Sequence, residues 1–117
     1  MGYLTTHVLD VSVGKPAAGM GIQLFRLAGA ERQLLADVRT NGDGRCDGPL
    51  AADTQFVVGT YELLFSAGDY FRRLGHAQGV PAFLEEVVLR FGVSDPGAHY
   101  HVPLLLSPYS YSTYRGS

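Results

Sequence analysis

His99 and His101 flank one tyrosine in HYHVPLLLS. On a strand, successive side chains leave by opposite faces, so both imidazoles project to the same side. Tyr100, Val102, Leu104 and Leu106 then form the opposite face, an apolar one that should be core. A third imidazole, His7, sits in TTHVLDV, where Thr5, His7, Leu9 and Val11 share one face and Leu4, Thr6, Val8 and Asp10 the other. Both of those faces are mixed, so alternation alone leaves the direction of His7 open. Imidazole exchanges protons near neutral pH, which makes acid–base catalysis one chemistry for these residues. A His-x-His pair can also ligate a metal, with His7 as third ligand, although no cysteine or carboxylate stands clearly beside them. On spacing alone, the simplest reading is a set of surface histidines with no chemical role.

Two further stretches carry polar chemistry. Arg45 sits in NGDGRCDG, a glycine-rich turn. Such a turn can hold a guanidinium fork against a planar anion or carbonyl, or leave it as a solvated loop arginine. The GDG core lacks the alternating acids and terminal Glu of a calcium loop. The sequence closes on YSTYRGS, in which Tyr114, Arg115 and Ser117 surround Gly116. Chain ends are loosely held unless tied down, so this is either an idle tail or an element folded into a site. There is no serine nucleophile elbow, phosphate-cradling glycine loop or dinucleotide fingerprint.

The elements that must position these residues read mainly as period two, broken by Gly, Pro and Asp clusters. Strands are expected over Tyr3–Val13, Met20–Leu27 and Gln33–Thr40, with a loop over NGDGRCDGPL. One or two more fall in Thr54–Ala67, with Tyr61, Leu63 and Phe65 inward. One short helix is expected in GDYFRRLGHAQG, capped by Asp69, with Tyr70, Leu74 and Ala77 at helical spacing and an end at Gly79 and Pro81. Glu85–Val93 follows, with Val87, Leu89, Phe91 and Val93 on one face, and then His99–Leu106 and Pro108–Tyr114. Strands at this spacing make an all-β sandwich or barrel.

Composition narrows the class. The 117 residues fit one domain spanning 1–117, with no linker or repeat. Only 17% are charged and 46% are apolar, which excludes a disordered chain and supplies one core. The net charge of −2 and the lack of a basic run argue against nucleic acid and anionic membranes as partners. One cysteine, Cys46, excludes an intrachain disulfide and a Cys-rich zinc site, and fits a reducing compartment. No apolar run reaches the length of a membrane span. MGYLTTHVLD lacks the pattern of a secretory leader, Gly2 and Thr6 match a myristoylation pattern only loosely, and RGS is not a peroxisomal tripeptide. The expected location is cytoplasmic.

LTTHVLD, NGDGR and HYHVPLLLSPYSYSTYRGS together resemble the 5-hydroxyisourate hydrolases of the transthyretin-like family, over nearly the whole chain, with the final YRGS the most specific part. The resemblance implies a transthyretin-like (prealbumin-like) eight-stranded β-sandwich with one short helix. It implies a homotetramer, a dimer of dimers with active sites at the dimer–dimer interface. It implies metal-independent, cofactor-free hydrolysis of 5-hydroxyisourate to 2-oxo-4-hydroxy-4-carboxy-5-ureidoimidazoline in urate degradation. Carried over by motif, His7, Arg45, His101 and Ser117 would be catalytic, and Tyr114, Arg115 and Gly116 would bind or shape. His99 would have a supporting role at most. A transthyretin-like carrier that binds a small molecule without reacting is the alternative.

Overall fold

A computed structural model describes residues 2–76 and 79–116. The described residues form two β layers and one short helix. One layer holds four antiparallel strands in the order β5-β4-β7-β8: β4 (Gly21–Ala28), β5 (Glu31–Arg39), β7 (Gly59–Phe65) and β8 (Val87–Val93). The other is built from shorter pieces: β1 (Tyr3–Thr5), β2 (Val8–Asp10), β3 (Lys15–Pro16), β6 (Ala51–Ala52), β9 (His99–His101), β10 (Leu104–Leu106) and β11 (Tyr111–Thr113). They hydrogen-bond in the orders β6-β1-β9 and β11-β10-β2-β3.

The eight expected strands thus appear as eleven among the described residues: the runs expected over Tyr3–Val13 and His99–Leu106 are each divided, and the two-residue strands β3 and β6 are added. The break between β9 and β10 falls at Val102 and Pro103. Proline has no N–H to donate to a ladder. The Thr6 hydroxyl donates to the Val102 carbonyl at 2.7 Å, inside the matching break between β1 and β2. Backbone bonds still bracket the gap, Val102 N–H to Thr5 O at 3.0 Å and Leu104 N–H to His7 O at 2.9 Å. The two runs therefore stay parallel and in register from Tyr3↔His99 to Asp10↔Leu106.

Alternation sets the core. Leu4 and Val8 face inward with Tyr100, Val102, Leu104 and Leu106 from the second layer, against Ile22, Leu24, Tyr61, Leu63, Phe65, Val87 and Leu89 from the first. Each fully buried aliphatic side chain of this set contributes roughly 1.5–3 kcal/mol. Asp10 is buried with them and accepts from the Tyr70 hydroxyl at 2.9 Å, which ties the helix to β2. Burial and that bond push the Tyr70 phenol up to about 12.

The helix α1 runs Ala67–Arg73, shifted toward the N-terminus from its expected place. Ser66 is its N-cap position, and Asp69 lies in the first turn, paired with Arg73. Gly68 sits where any side chain would overlap the Glu85 carboxylate, and its N–H donates to the Glu85 carbonyl. The helix ends before Gly75, whose φ of +87° glycine adopts without strain, while His76 N–H returns to the Phe71 carbonyl. Leu74 is half exposed, and Ala77 lies outside the described residues.

Candidate active site

The outward face of the β1–β9 pair carries the first half of the site. Parallel pairing sets Tyr3 opposite His99 and Thr5 opposite His101. With Leu4 and Tyr100 turned into the core, the odd-numbered residues must face out. The Tyr3 and His99 rings stack at 4.1 Å, 13° from parallel. Thr5 Oγ1 lies 2.7 Å from His99 Nε2 and 2.8 Å from His101 Nδ1, so one hydroxyl joins both imidazoles. Those bonds leave His101 Nε2 without a protein partner among the described residues.

The second half comes from the loop after β5. His7 lies between β1 and β2 and bridges Arg45 through the backbone. Its direction, open from alternation, is outward with Thr5, because Thr6 and Val8 take the buried face. His7 Nε2 is 2.9 Å from the Asp43 carbonyl oxygen. A carbonyl has no proton to give, so Nε2 carries the hydrogen and Nδ1 is the basic nitrogen of the neutral ring. Asn41 organises the loop: its Oδ1 accepts from Asp43 N–H at 2.9 Å and Arg45 N–H at 3.1 Å, while its Nδ2 donates to Asp47 at 3.1 Å. Gly44 has φ +74° and lies where a Cβ would overlap the Val8 carbonyl, so only glycine fits there. Arg45 is exposed and makes no ion pair with a carboxylate among the described residues.

The two halves enclose an open cleft of about 480 Å³. Tyr3, Thr5, His99, His101, Arg45 and Cys46 are among its lining residues. The charge environment is specific. Burial, followed by the proximity of Arg45, His99 and His7, holds the His101 imidazole below its ordinary pKa. That favours the neutral ring, the form able to accept a proton. Burial, with a smaller push from Asp47, raises the Cys46 thiol, which keeps it protonated.

Of the expected residues, His101 and Arg45 line this cleft, and His7 is close enough to influence His101 electrostatically. Gly116 also belongs here. Its N–H donates to the His101 carbonyl at 2.7 Å, and a Cβ at this position would stand 2.6 Å from His101 Cδ2. The terminal segment thus passes directly over the His101 ring. Tyr114 and Arg115 are turned elsewhere, into a separate groove between β8 and β11. There the Arg115 guanidinium covers the Tyr100 ring at 3.9 Å. Ser117 lies outside the described residues.

Spacing did not single out Tyr3, Thr5 and Asn41. The sequence carried one signal for Thr5, its shared face with His7. Its two histidine partners required knowing that β1 and β9, 94 to 96 positions apart, run parallel. The metal reading of His7, His99 and His101 meets a geometric obstacle, since His99 Nε2 and His101 Nδ1 point at Thr5 and His7 Nε2 at a carbonyl. No group of three or more candidate ligands converges among the described residues.

Residues 4–116 match a sequence model described as the HIUase/Transthyretin family. A Rhizobium meliloti (strain 1021) protein named 5-hydroxyisourate hydrolase 2 is 62% identical over 116 residues, covering 99% of this chain and 97% of the relative. A crystal structure of (S)-allantoin synthase superposes with a TM-score of 0.92 at 48% identity, covering 99% of this chain. This chain spans only 44% of that protein. Sea bream transthyretin in complex with thyroxine superposes at TM-score 0.85 with 28% identity, over 97% of this chain and 93% of the other.

Proposed function

The chain belongs to the HIUase/Transthyretin family, and on that premise we propose that it is an enzyme that hydrolyses 5-hydroxyisourate to 2-oxo-4-hydroxy-4-carboxy-5-ureidoimidazoline, a step of urate degradation. The fold is also compatible with carriage of a small molecule, since a thyroxine-bound transthyretin superposes closely. The cleft's residues favour hydrolysis. The observation that carries the reading is His101 and Arg45 lining one cleft with His7 nearby, three residues from distant parts of the chain.

The placement supports the following chemistry. Water adds to the C6 carbonyl of the substrate, and the N1–C6 bond breaks. His101 Nε2 takes a proton from that water. Arg45 donates to the carbonyl oxygen as negative charge develops on it. His7, with its tautomer fixed, presents Nδ1 to the ligand or the water. Proton return to the leaving nitrogen completes the turnover. Ser117, by its motif position, would orient ligand or water. Arg115, clasped over Tyr100, anchors the segment that brings Gly116 onto His101. No step requires a metal or cofactor.

The chain is proposed to act as a single domain and to assemble as a homotetramer, a dimer of dimers. The edge strands β8 and β11 support this, since unpaired edges invite pairing with a second copy. Closing the open cleft against a second dimer would then exclude water around the substrate. Sedimentation over a dilution series is the test, and a fully active monomer would overturn it. No helix among the described residues is long and apolar enough to cross a membrane. The proposed location is the cytoplasm, in keeping with the free thiol of Cys46.

The direct experiment follows the absorbance of freshly generated 5-hydroxyisourate with and without the protein. Accelerated decay with ordered product formation is expected. An unchanged decay rate would remove the hydrolase reading and leave the carrier.

A further inference from the structure

Thr5 has one hydroxyl proton and two imidazole neighbours, at 2.7 and 2.8 Å. It can donate to only one of them, so it must accept from the other. The tautomers of His99 and His101 are therefore linked: when His101 carries its hydrogen on Nδ1, Thr5 accepts that bond and donates to His99 Nε2. In this state His101 Nε2 holds the lone pair. This is the form a base facing the cleft requires.

We propose that His99, Thr5 and His101 form a proton relay in which His101 meets the substrate, Thr5 passes the proton and His99 receives it. The inference rests on the hydrolase reading for its role in turnover. As His101 Nε2 takes a proton from water, the bond from Nδ1 to its hydrogen breaks and that proton moves to Thr5 Oγ1. The Thr5 hydroxyl hydrogen moves at the same time to His99 Nε2. Thr5 ends as a hydroxyl, His101 ends neutral with its hydrogen on Nε2, and the positive charge sits on His99. The reverse sequence supplies the proton to the leaving nitrogen. No other reactant is needed.

Two features make His99 a suitable terminus. The Tyr3 ring lies flat on it at 4.1 Å, and an aromatic face stabilises a cation placed over it. Charge on His101 is disfavoured by its burial and by the nearby Arg45, His99 and His7, and a neutral His99 joined to it through Thr5 gives the proton somewhere to go. His7 has no comparable outlet, because the Asp43 carbonyl fixes its Nε2 hydrogen. This separates the two histidines: His101 exchanges the proton, and His7 holds the ligand. Thr5 and His99 are positioning residues, acting through His101.

The test uses Thr5→Val, which keeps the shape and removes the hydroxyl, with Thr5→Ser to restore it and His99→Gln, which accepts a hydrogen bond but not a proton. Thr5→Val and His99→Gln should each lower kcat by at least about tenfold, a part of the usual acid–base contribution, with KM little changed. Thr5→Ser should recover most of the loss. In mixtures of light and heavy water the unaltered protein should show more than one proton in flight, and Thr5→Val only one. Nitrogen-15 imidazole spectra provide a readout independent of turnover. The His99 and His101 signals should respond together to pH in the unaltered protein and separately in Thr5→Val. Independent responses in the unaltered protein, or unchanged kcat in a folded Thr5→Val, would overturn the relay. Joint responses in a protein that leaves 5-hydroxyisourate decay unchanged would keep the linked pair and reject the hydrolase reading.

Discussion

The cleft has two halves held by different means. Thr5, His99 and His101 stand on paired strands, so their placement follows from register, and a one-residue slip would exchange the polar face with Leu4 and Tyr100. Arg45 depends on a loop whose shape comes from one asparagine side chain and one glycine, and which also holds the ring of His7 through the Asp43 carbonyl. The strand half cannot move without disturbing the core, whereas the loop that carries Arg45 can. On the proposed mechanism, a site of this construction keeps its proton-transfer group rigid and leaves its carbonyl-binding group adjustable. Substitutions in the two halves should therefore differ in how much stability accompanies the loss of activity.

The largest effects are expected at the two cleft termini. His101→Ala and Arg45→Ala should each cost at least about two orders of magnitude in turnover. Arg45 is exposed and unpaired with carboxylates among the described residues, so its removal should leave the thermal midpoint near the original. His101→Ala opens space beneath Gly116 and should lower it modestly. Steady-state turnover and calorimetry on the same samples check both. Near-normal turnover in either variant would show that the water is activated by other groups.

Gly116→Ala tests the strand half from above. The added methyl would meet His101 Cδ2 at 2.6 Å, so either the ring or the terminal segment must shift. Displacement of a reacting group by about 1 Å can cost on the order of a hundredfold, and a loss of about ten- to a hundredfold in kcat is expected. The core is untouched, so the unfolding midpoint should hardly change. Unaltered kcat would mean that the segment over His101 yields freely and does not fix the ring.

Asn41→Ala loosens the loop half. Two backbone N–H groups lose their acceptor, and each such bond contributes about 0.5–1.5 kcal/mol. The loop is largely exposed, so water replaces part of this, and a net loss of about 1 kcal/mol is expected. Arg45 loses its anchor, and kcat/KM should fall about tenfold. Asn41→Asp keeps both acceptor positions and should retain most activity. Equal activities for the Ala and Asp variants would show that the loop is held by Gly44 and the strand ends alone.

The same division explains how much could be read from the sequence. The inward faces of β7, β8, β9 and β10 followed from alternation: Tyr61, Leu63 and Phe65 are fully buried, as are Leu104 and Leu106. The outward pair His99 and His101 followed from the same rule. The direction of His7 did not, because Thr6 and Asp10 are polar residues that the fold nevertheless buries, Thr6 on a carbonyl and Asp10 on Tyr70. Helix boundaries were displaced because Gly68 and Gly75 are set by contact with Glu85 and by left-handed geometry, neither of which spacing encodes. Thr5 was legible as a face-mate of His7 and illegible as the link between two histidines nearly the whole chain away. Long-range register carries that information, and period-two patterns are silent on it.

The smallest expected effect sharpens the comparison furthest, because it asks whether the halves sense each other electrostatically. Burial first, and then the proximity of Arg45, His99 and His7, disfavour the protonated form of His101. If His101 must be neutral to act, the acid limb of kcat/KM should lie below about 6.5, the ordinary imidazole value. Activity is then lost only as the pH falls through this lowered value. Arg45→Met removes one positive neighbour. The protonated form becomes easier to reach, so the limb of the residual activity should move upward in pH. It should remain below about 6.5, because burial is the larger cause and is unchanged. Arg45→Lys keeps the charge but not the planar fork, so it should lose activity while leaving the limb in place. The measurement is kcat/KM against pH for the three proteins, with Thr5 and Gly116 unaltered so that the ring stays fixed. A limb that does not move in Arg45→Met would mean that loop and strand halves share the substrate and nothing else. A limb that moves equally in Met and Lys variants would assign the shift to displacement of the loop, not to charge.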